Sequence, residues 1–142
     1  MADVSRRVRE APVEVIEHWV RTAARAASSK TDDETVVLEV GEVLSITTWF
    51  VITSGRNPRQ VKALVEEIEE QVDLAGGPKP ISIEGLDALE WVLMDYGDFV
   101  VHVFVESARR FYELERLWSD VPRLDWQGPT ATVSVPQAPS GG

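Results

Sequence analysis

Two apolar runs separated by a glycine turn dominate the hydrophobic pattern of the chain: WVLMD and FVVHVFV flank Tyr96, Gly97 and Asp98. Strand-favouring residues on both sides of such a turn predict a β-hairpin over Trp91–Val105. With Gly97 and Asp98 as a two-residue turn, Tyr96 opposes Phe99 and Trp91 opposes Phe104. That register puts Trp91, Leu93 and Asp95 beside Val100, His102 and Phe104, and sets Val92, Met94 and Tyr96 with Phe99, Val101 and Val103 on the other face. The second set matches packed helices. The first set is also rich in apolar groups, so that face is either covered from within or receives a partner.

The remaining periodicity predicts elements on both sides of the hairpin. From Pro12, which fits a first helical turn, Val13, Ile16, Val20, Ala23 and Ala27 recur three and four apart and mark an amphipathic helix. Glu14 and Glu17 precede Arg21 and Arg25, an order that suits the helix dipole and four-apart pairing. A strand over Thr35–Val40 follows a polar loop, with Val36, Leu38 and Val40 on one face and Val37 and Glu39 on the other. After Gly41, residues 43–48 make a short crossing or helical turn before a buried strand over Trp49–Thr53. In SGRNPRQ, Asn57 is placed to cap a helix with Pro58 at its first position and Gln60 as capping-box partner. Val61, Leu64, Val65, Ile68 and Val72 form that helix's inner stripe, and Glu66, Glu67, Glu69 and Glu70 its wet side. Ala75-Gly76-Gly77-Pro78 ends it. Residues 80–84 read as an edge strand because Pro80 lacks a donor. Ser107 is placed to cap a final helix whose apolar side is Phe111, Leu114, Leu117 and Trp118, with Pro122 beyond its stop.

The order helix, strand, strand, helix, strand, hairpin, helix is an α/β class with a single domain, a mixed sheet of roughly five strands and three main helices. Residues 12–122 form the domain. Residues 1–11 read as a flexible amino-terminal tail and 123–142 as a flexible, Pro/Gly/Ser-rich carboxyl-terminal tail. Three helices are few for five strands, so some sheet area is expected to stay uncovered.

Composition narrows the chemistry. There are no cysteines among 142 residues, which excludes disulfides, thiolate catalysis and cysteine-ligated zinc. A net charge of -10 opposes general attraction to nucleic-acid phosphate. No apolar run is long enough for a membrane helix, and MADVSRRVREAPVEV lacks a signal-like segment, so a soluble cytoplasmic protein with no membrane or DNA partner is expected.

Candidate chemical groups point away from catalysis. Asp95 and Asp98 would suit magnesium or acid–base chemistry if they converged, but they need not share a face, and Asp98 has a role in the turn. Neither His18 nor His102 sits in a metal-ligand or general-base pattern. SGRNPRQ lacks the phosphate-loop lysine and the dinucleotide glycines, and capping explains it, although Arg56 and Arg59 could meet an anion. A partner surface asks less of the residues present. Trp91, Leu93, Val100 and Phe104 would exclude water, Asp95 and His102 would give directed contacts, and Arg109, Arg110 and Arg116 would form a basic rim.

The ordered motifs WFVITSG, RQV, IEG, WVLMDYGD, VVHVF and FYELERLW, spread over about residues 12–122, strongly resemble the bacterial ribosomal silencing factor family, also called Iojap-like. The resemblance implies a fold similar to a nucleotidyltransferase core that is used for binding, with no catalytic residues, no cofactor and no metal. It implies attachment to ribosomal protein fourteen of the large ribosomal subunit, obstruction of joining with the small subunit, and repression of translation when nutrients are limiting. Contact with ribosomal RNA would be incidental, and homodimer formation when unbound is open. Trp91 matches the tryptophan of the family's binding hairpin, Asp95 its acidic position and His102 the histidine of the next strand. The partner-binding patch extends through Leu93, Tyr96 and Phe104 to Arg109. Thr48 and Trp49 depart from the acidic or small residues of many relatives, which bears on packing or a homodimer surface. The rival readings are a metal-dependent nucleotidyltransferase-like enzyme using a cleft near SGRN and the acidic hairpin, and a non-ribosomal homodimeric scaffold.

Overall fold

Strict alternation along five strands sorts the apolar residues onto two faces of one sheet. The computed structural model describes residues 11–41, 43–44 and 47–128. Its elements are α1 (Val13–Ser28), β1 (Val36–Glu39), β2 (Trp49–Gly55), α2 (Pro58–Leu74), β3 (Ser82–Glu84), β4 (Trp91–Asp95), β5 (Phe99–Val105), α3 (Glu106–Tyr112) and α4 (Leu114–Leu117). The strand order is β1-β2-β5-β4-β3, with β2 and β5 parallel and the other neighbours antiparallel, so the sheet is mixed as expected. The hairpin has the expected register, with Trp91 opposite Phe104 and Asp95 opposite Val100.

The inner face carries Val37, Val51, Val101, Met94, Phe99 and Val103 against α1 and α2. The whole expected α2 stripe from Val61 to Val72 is buried there. Burying each such side chain stabilises by about 1.5–3 kcal/mol, far more than the few tenths by which valine is disfavoured in a helix. Ile16, Val20, Ala23 and Ala27 of α1 are buried as expected, but Val13 is exposed at the first turn. Pro12 lies one position outside the helix, where its carbonyl accepts from Val15 and Ile16. Asn57 Oδ1 accepts the Gln60 N–H at 2.9 Å, and the Gln60 side chain accepts from Arg56 rather than from the cap residue itself, a capping box displaced by one. Gly76 at φ +85 ends α2, with Gly77 N–H returning to Val72 O at 2.8 Å.

The carboxyl-terminal part departs from expectation in three ways. Ser107 does not cap; it lies inside α3, whose preceding residue is Val105 and whose first turn has no side-chain cap. The final helix is broken at Glu113, which adopts a left-handed φ of 49. The break turns Leu114 into the core while Phe111 and Leu117 face solvent at 79% and 77% exposure, so two of the four expected apolar contacts are not made. Lastly, the expected flexible tail is docked over residues 123–128. Glu39 N–H donates to Pro122 O and Leu124 N–H to Val37 O, so this stretch occupies the outer edge of β1. Trp126 Nε1 donates to Thr35 O at 2.8 Å. Arg21, only 3% exposed, donates to Asp125 O and Gly128 O and pairs with Glu17 at 2.9 Å. The terminal stretches 1–10 and 129–142, on which the rest of the tail expectations fall, lie outside the described residues.

Arg21 therefore holds the far end of this strap, while Leu124 and Trp126 hold it along β1. Arg21→Met keeps the apolar stem but strands two carbonyls and Glu17, and is expected to cost about 2–4 kcal/mol. Urea unfolding gives the loss, and hydrogen exchange at the Leu124 amide should accelerate more than at Val51.

Candidate docking face

The outer sheet face is covered unevenly. Cross-strand register lays it out in rows: Ser82, Asp95, Val100, Phe50 and Leu38; then Glu84, Leu93, His102, Ile52 and Val36; then Trp91, Phe104 and Ser54. Leu44, Ala108, Leu114, Trp118 and Val121 pack over the β1–β2 side of this face. Burial falls off towards β3, with Ile52 and Phe104 fully buried, Trp91, Leu93, Asp95 and Val100 half-buried, and Glu84 exposed. The open strip therefore has an apolar centre and a carboxylate margin.

Trp91 is the anchor of the strip. Its indole lies 4.8 Å from the Phe104 ring and 5.0 Å from Tyr112, and its Nε1–H donates to His102 Nδ1 at 3.1 Å. His102 is 4% exposed, with the Phe50 ring 4.5 Å away, and burial lowers its pKa to about 4. The histidine is thus neutral near pH 7. Asp95 supplies a side-chain bond to the turn, its Oδ1 accepting the Gly97 N–H at 2.8 Å. Asp98 contributes through its backbone carbonyl, which accepts the Thr48 N–H at 2.9 Å.

Not all the sequence-derived site residues converge on the strip. Trp91, Leu93 and Asp95 present surface to it, while Phe104 and His102 lie beneath it as support. Tyr96 points to the opposite, helix-covered face, where it is buried and stacked on Phe99 at 4.5 Å. Burial, and then Glu69, push its phenol far above the usual range. Arg109 is an internal clamp: it forks onto Glu115 through Nε and Nη2 and donates through Nη1 to Ser54 Oγ and Glu34 O. The sequence pattern assigns neither Tyr112 nor Glu84 to this face. The register of β3 shows the place of Glu84, whereas Tyr112 reaches Trp91 only because α3 folds back over β5.

The two halves of the rival enzyme site lie at opposite ends of the sheet. Asp95 and Asp98 flank the start of β5, whereas Gly55 of SGRN pairs with Val105 at its end. Six residue steps of extended strand separate them by about 20 Å. At the SGRN end, a cavity of about 310 Å³ is lined by Asp33, Ser54, Glu106 and Arg109, with Glu106 raised in pKa first by its hydrogen bond to Asp33. Among the described residues, no three His, Asp or Glu groups are placed to hold a metal ion.

Comparison with known proteins decides the family. A family model described as "Ribosomal silencing factor during starvation" matches residues 13–140. The chain belongs to that family. The family is non-catalytic, and ribosomal silencing is the function that membership in it supports. The chain is 37% identical over 106 residues to the ribosomal silencing factor of Bacillus subtilis, covering 75% of this chain and 89% of that one. A mouse protein named mitochondrial assembly of ribosomal large subunit protein 1 is 34% identical over 86 residues, 58% of this chain and 37% of that one. The crystal structure of a Chromobacterium violaceum protein superimposes with a TM-score of 0.68 at 28% identity, covering 82% of this chain and 95% of the other. Against the family background, Trp49 is a core residue, 6% exposed on the inner face, and so acts on packing. Among the described residues, no helix is long and apolar enough to cross a membrane.

Two properties of this face are measurable. Gly85, at φ +94 just after β3, lies so close to β4 that a Cβ would run into the Trp91 carbonyl oxygen. Gly85→Ala is expected to cost more than about 2 kcal/mol in urea unfolding and to alter Trp91 fluorescence. His102 titrates lower folded than unfolded, so the unfolded chain takes up its proton first. Its contribution to stability is complete above about pH 6.5 and is lost as pH falls towards about 4. The loss amounts to roughly 3 kcal/mol, and His102→Leu should flatten stability over that pH interval.

Proposed function

We propose that the half-open outer face docks on ribosomal protein fourteen of the large ribosomal subunit, and that the bound body stands where the small subunit would join. Translation is then repressed stoichiometrically, with no bond-making step, when nutrients are limiting. The observation that carries this reading is the uncovered strip of Trp91, Leu93 and Val100 with Asp95 and Glu84 at its margin. An apolar centre ringed by carboxylates suits a basic ribosomal protein, whereas a chain of net charge -10 is repelled by ribosomal RNA. The large-subunit role in the mouse relative's name points the same way. In this reading an α/β layer similar to a nucleotidyltransferase core serves binding in the cytoplasm. A homodimer through the same strip would compete with the ribosome.

The test uses purified subunits and light scattering to follow joining. Trp91→Ala with Asp95→Asn removes the anchor and the charge while the asparagine keeps an oxygen for the Gly97 N–H. A buried tryptophan anchor contributes at least about 2 kcal/mol, so the inhibitory concentration is expected to rise about 30-fold or more. Joining that is unchanged by saturating wild-type protein, or equally inhibited by the folded double variant, overturns the proposal.

A further inference from the structure

His102 cannot itself touch a docked partner. It lies 4% exposed under the strip, enclosed by Phe50 and Ile52 of β2, Trp91 and Leu93 of β4 and Phe104 of β5. Among the described residues, its imidazole makes one hydrogen bond, accepted at Nδ1 from the Trp91 indole 3.1 Å away. An indole N–H only donates, so Nδ1 bears the lone pair and the imidazole proton sits on Nε2. That Nε2 is buried without a hydrogen-bond partner among the described residues. A buried polar atom left in that state is costly, by more than the hydrogen bond at Nδ1 contributes, and leucine would fill the space without it. The gain from histidine at this position therefore lies elsewhere than in core stability.

What the imidazole does is fix the indole. Phe104 at 4.8 Å and Tyr112 at 5.0 Å confine the Trp91 ring by packing, which is non-directional. Among the described contacts, the bond to His102 is the directed one, and it fixes which edge of the ring faces the imidazole. Burial lowers the histidine's pKa to about 4 and so keeps the acceptor available across neutral pH.

We propose that His102 is a positioning residue for docking: its neutral Nδ1 locks the Trp91 indole in the orientation that the partner receives, so that no rotamer freedom is lost on binding. The proposal rests on the reading that the Trp91 strip is the docking face. It separates two roles that the sequence merges, since Trp91 makes contact and His102 acts only through it.

The test combines nitrogen-15 NMR of the full chain with co-sedimentation on purified large subunits. His102→Leu removes the acceptor and keeps apolar bulk, whereas His102→Asn offers Oδ1 near the place of Nδ1. The wild type should show the Nε2–H tautomer unchanged between pH 8 and pH 5.5, and a Trp91 indole N–H protected from exchange. In His102→Leu that protection should vanish and affinity fall about tenfold, the scale of one hydrogen bond. His102→Asn should restore the protected indole and bring affinity within about threefold of wild type. A folded His102→Leu variant with a freed indole and wild-type affinity, while Trp91→Ala loses binding, overturns the positioning role and leaves the docking face standing. Wild-type affinity in Trp91→Ala sinks both. Should the leucine variant fail to fold, the asparagine variant decides alone: protected indole with retained affinity supports the lock, and protected indole with lost affinity refutes it.

Discussion

Unequal coverage of a two-faced sheet is the constraint from which the rest of this structure follows. Five strands at about 4.8 Å spacing make a surface roughly 20 Å wide, and two helices of about 10 Å diameter are needed to hide one side of it. The 16 residues of α1 and 17 of α2 meet that need on the inner face. On the outer face the helices among the described residues are the 7 residues of α3 and 4 of α4, about 10 Å and 6 Å long. They pack over the β1–β2 side and β5, and reach β4 where Tyr112 meets Trp91. The alternating apolar groups of β4 and β5 continue beyond them, and that mismatch leaves the strip around Trp91 and Leu93.

The cover is nonetheless held firmly where it exists, and its attachments lead to the strip. Arg109 ties α3 to the loop at Glu34 and to Ser54 at the end of β2, and its fork onto Glu115 bridges the break at Glu113. This fixes the last turn of α3, and with it Tyr112, whose ring meets Trp91. Beyond α4 the chain runs along the β1 edge and reaches Arg21 at Asp125 and Gly128. An exposed edge pairs readily with other chains, and the protein's own backbone occupies this one, while β3 forms the opposite edge of the sheet.

Much of the architecture was legible because it is periodic. The α2 stripe, the two faces of β1 and the hairpin register all depend on repeats of 3.6 or 2 residues, and each was found where the pattern put it. The failures share a different cause. Nothing local announces that Glu113 takes a left-handed conformation, so Phe111 and Leu117 were assigned to a stripe that a continuous helix would have made. The strap from Arg123 to Gly128 looks like a tail, since its partner is Arg21, about a hundred positions earlier. Arg109 reads as a rim cation until the distant Ser54 and Glu34 are brought beside it. Tyr96 belongs by register to the helix face, and only the family motif drew it towards the docking patch.

Asp95 shows how geometry alters the meaning of a charge that sequence had already picked out. Its Oδ1 is committed to the Gly97 N–H, and this fixes the direction of the carboxylate relative to β4. A carboxylate has lone pairs enough for further donors, so a cation arriving at the strip meets an acceptor that need not be reoriented. The same holds for Trp91, confined by Phe104, Tyr112 and His102. Binding that must immobilise rotamer-rich side chains loses about 0.5–1.5 kcal/mol for each one. In the docking proposed for this strip, an anchor and a charge that are both fixed beforehand avoid that loss.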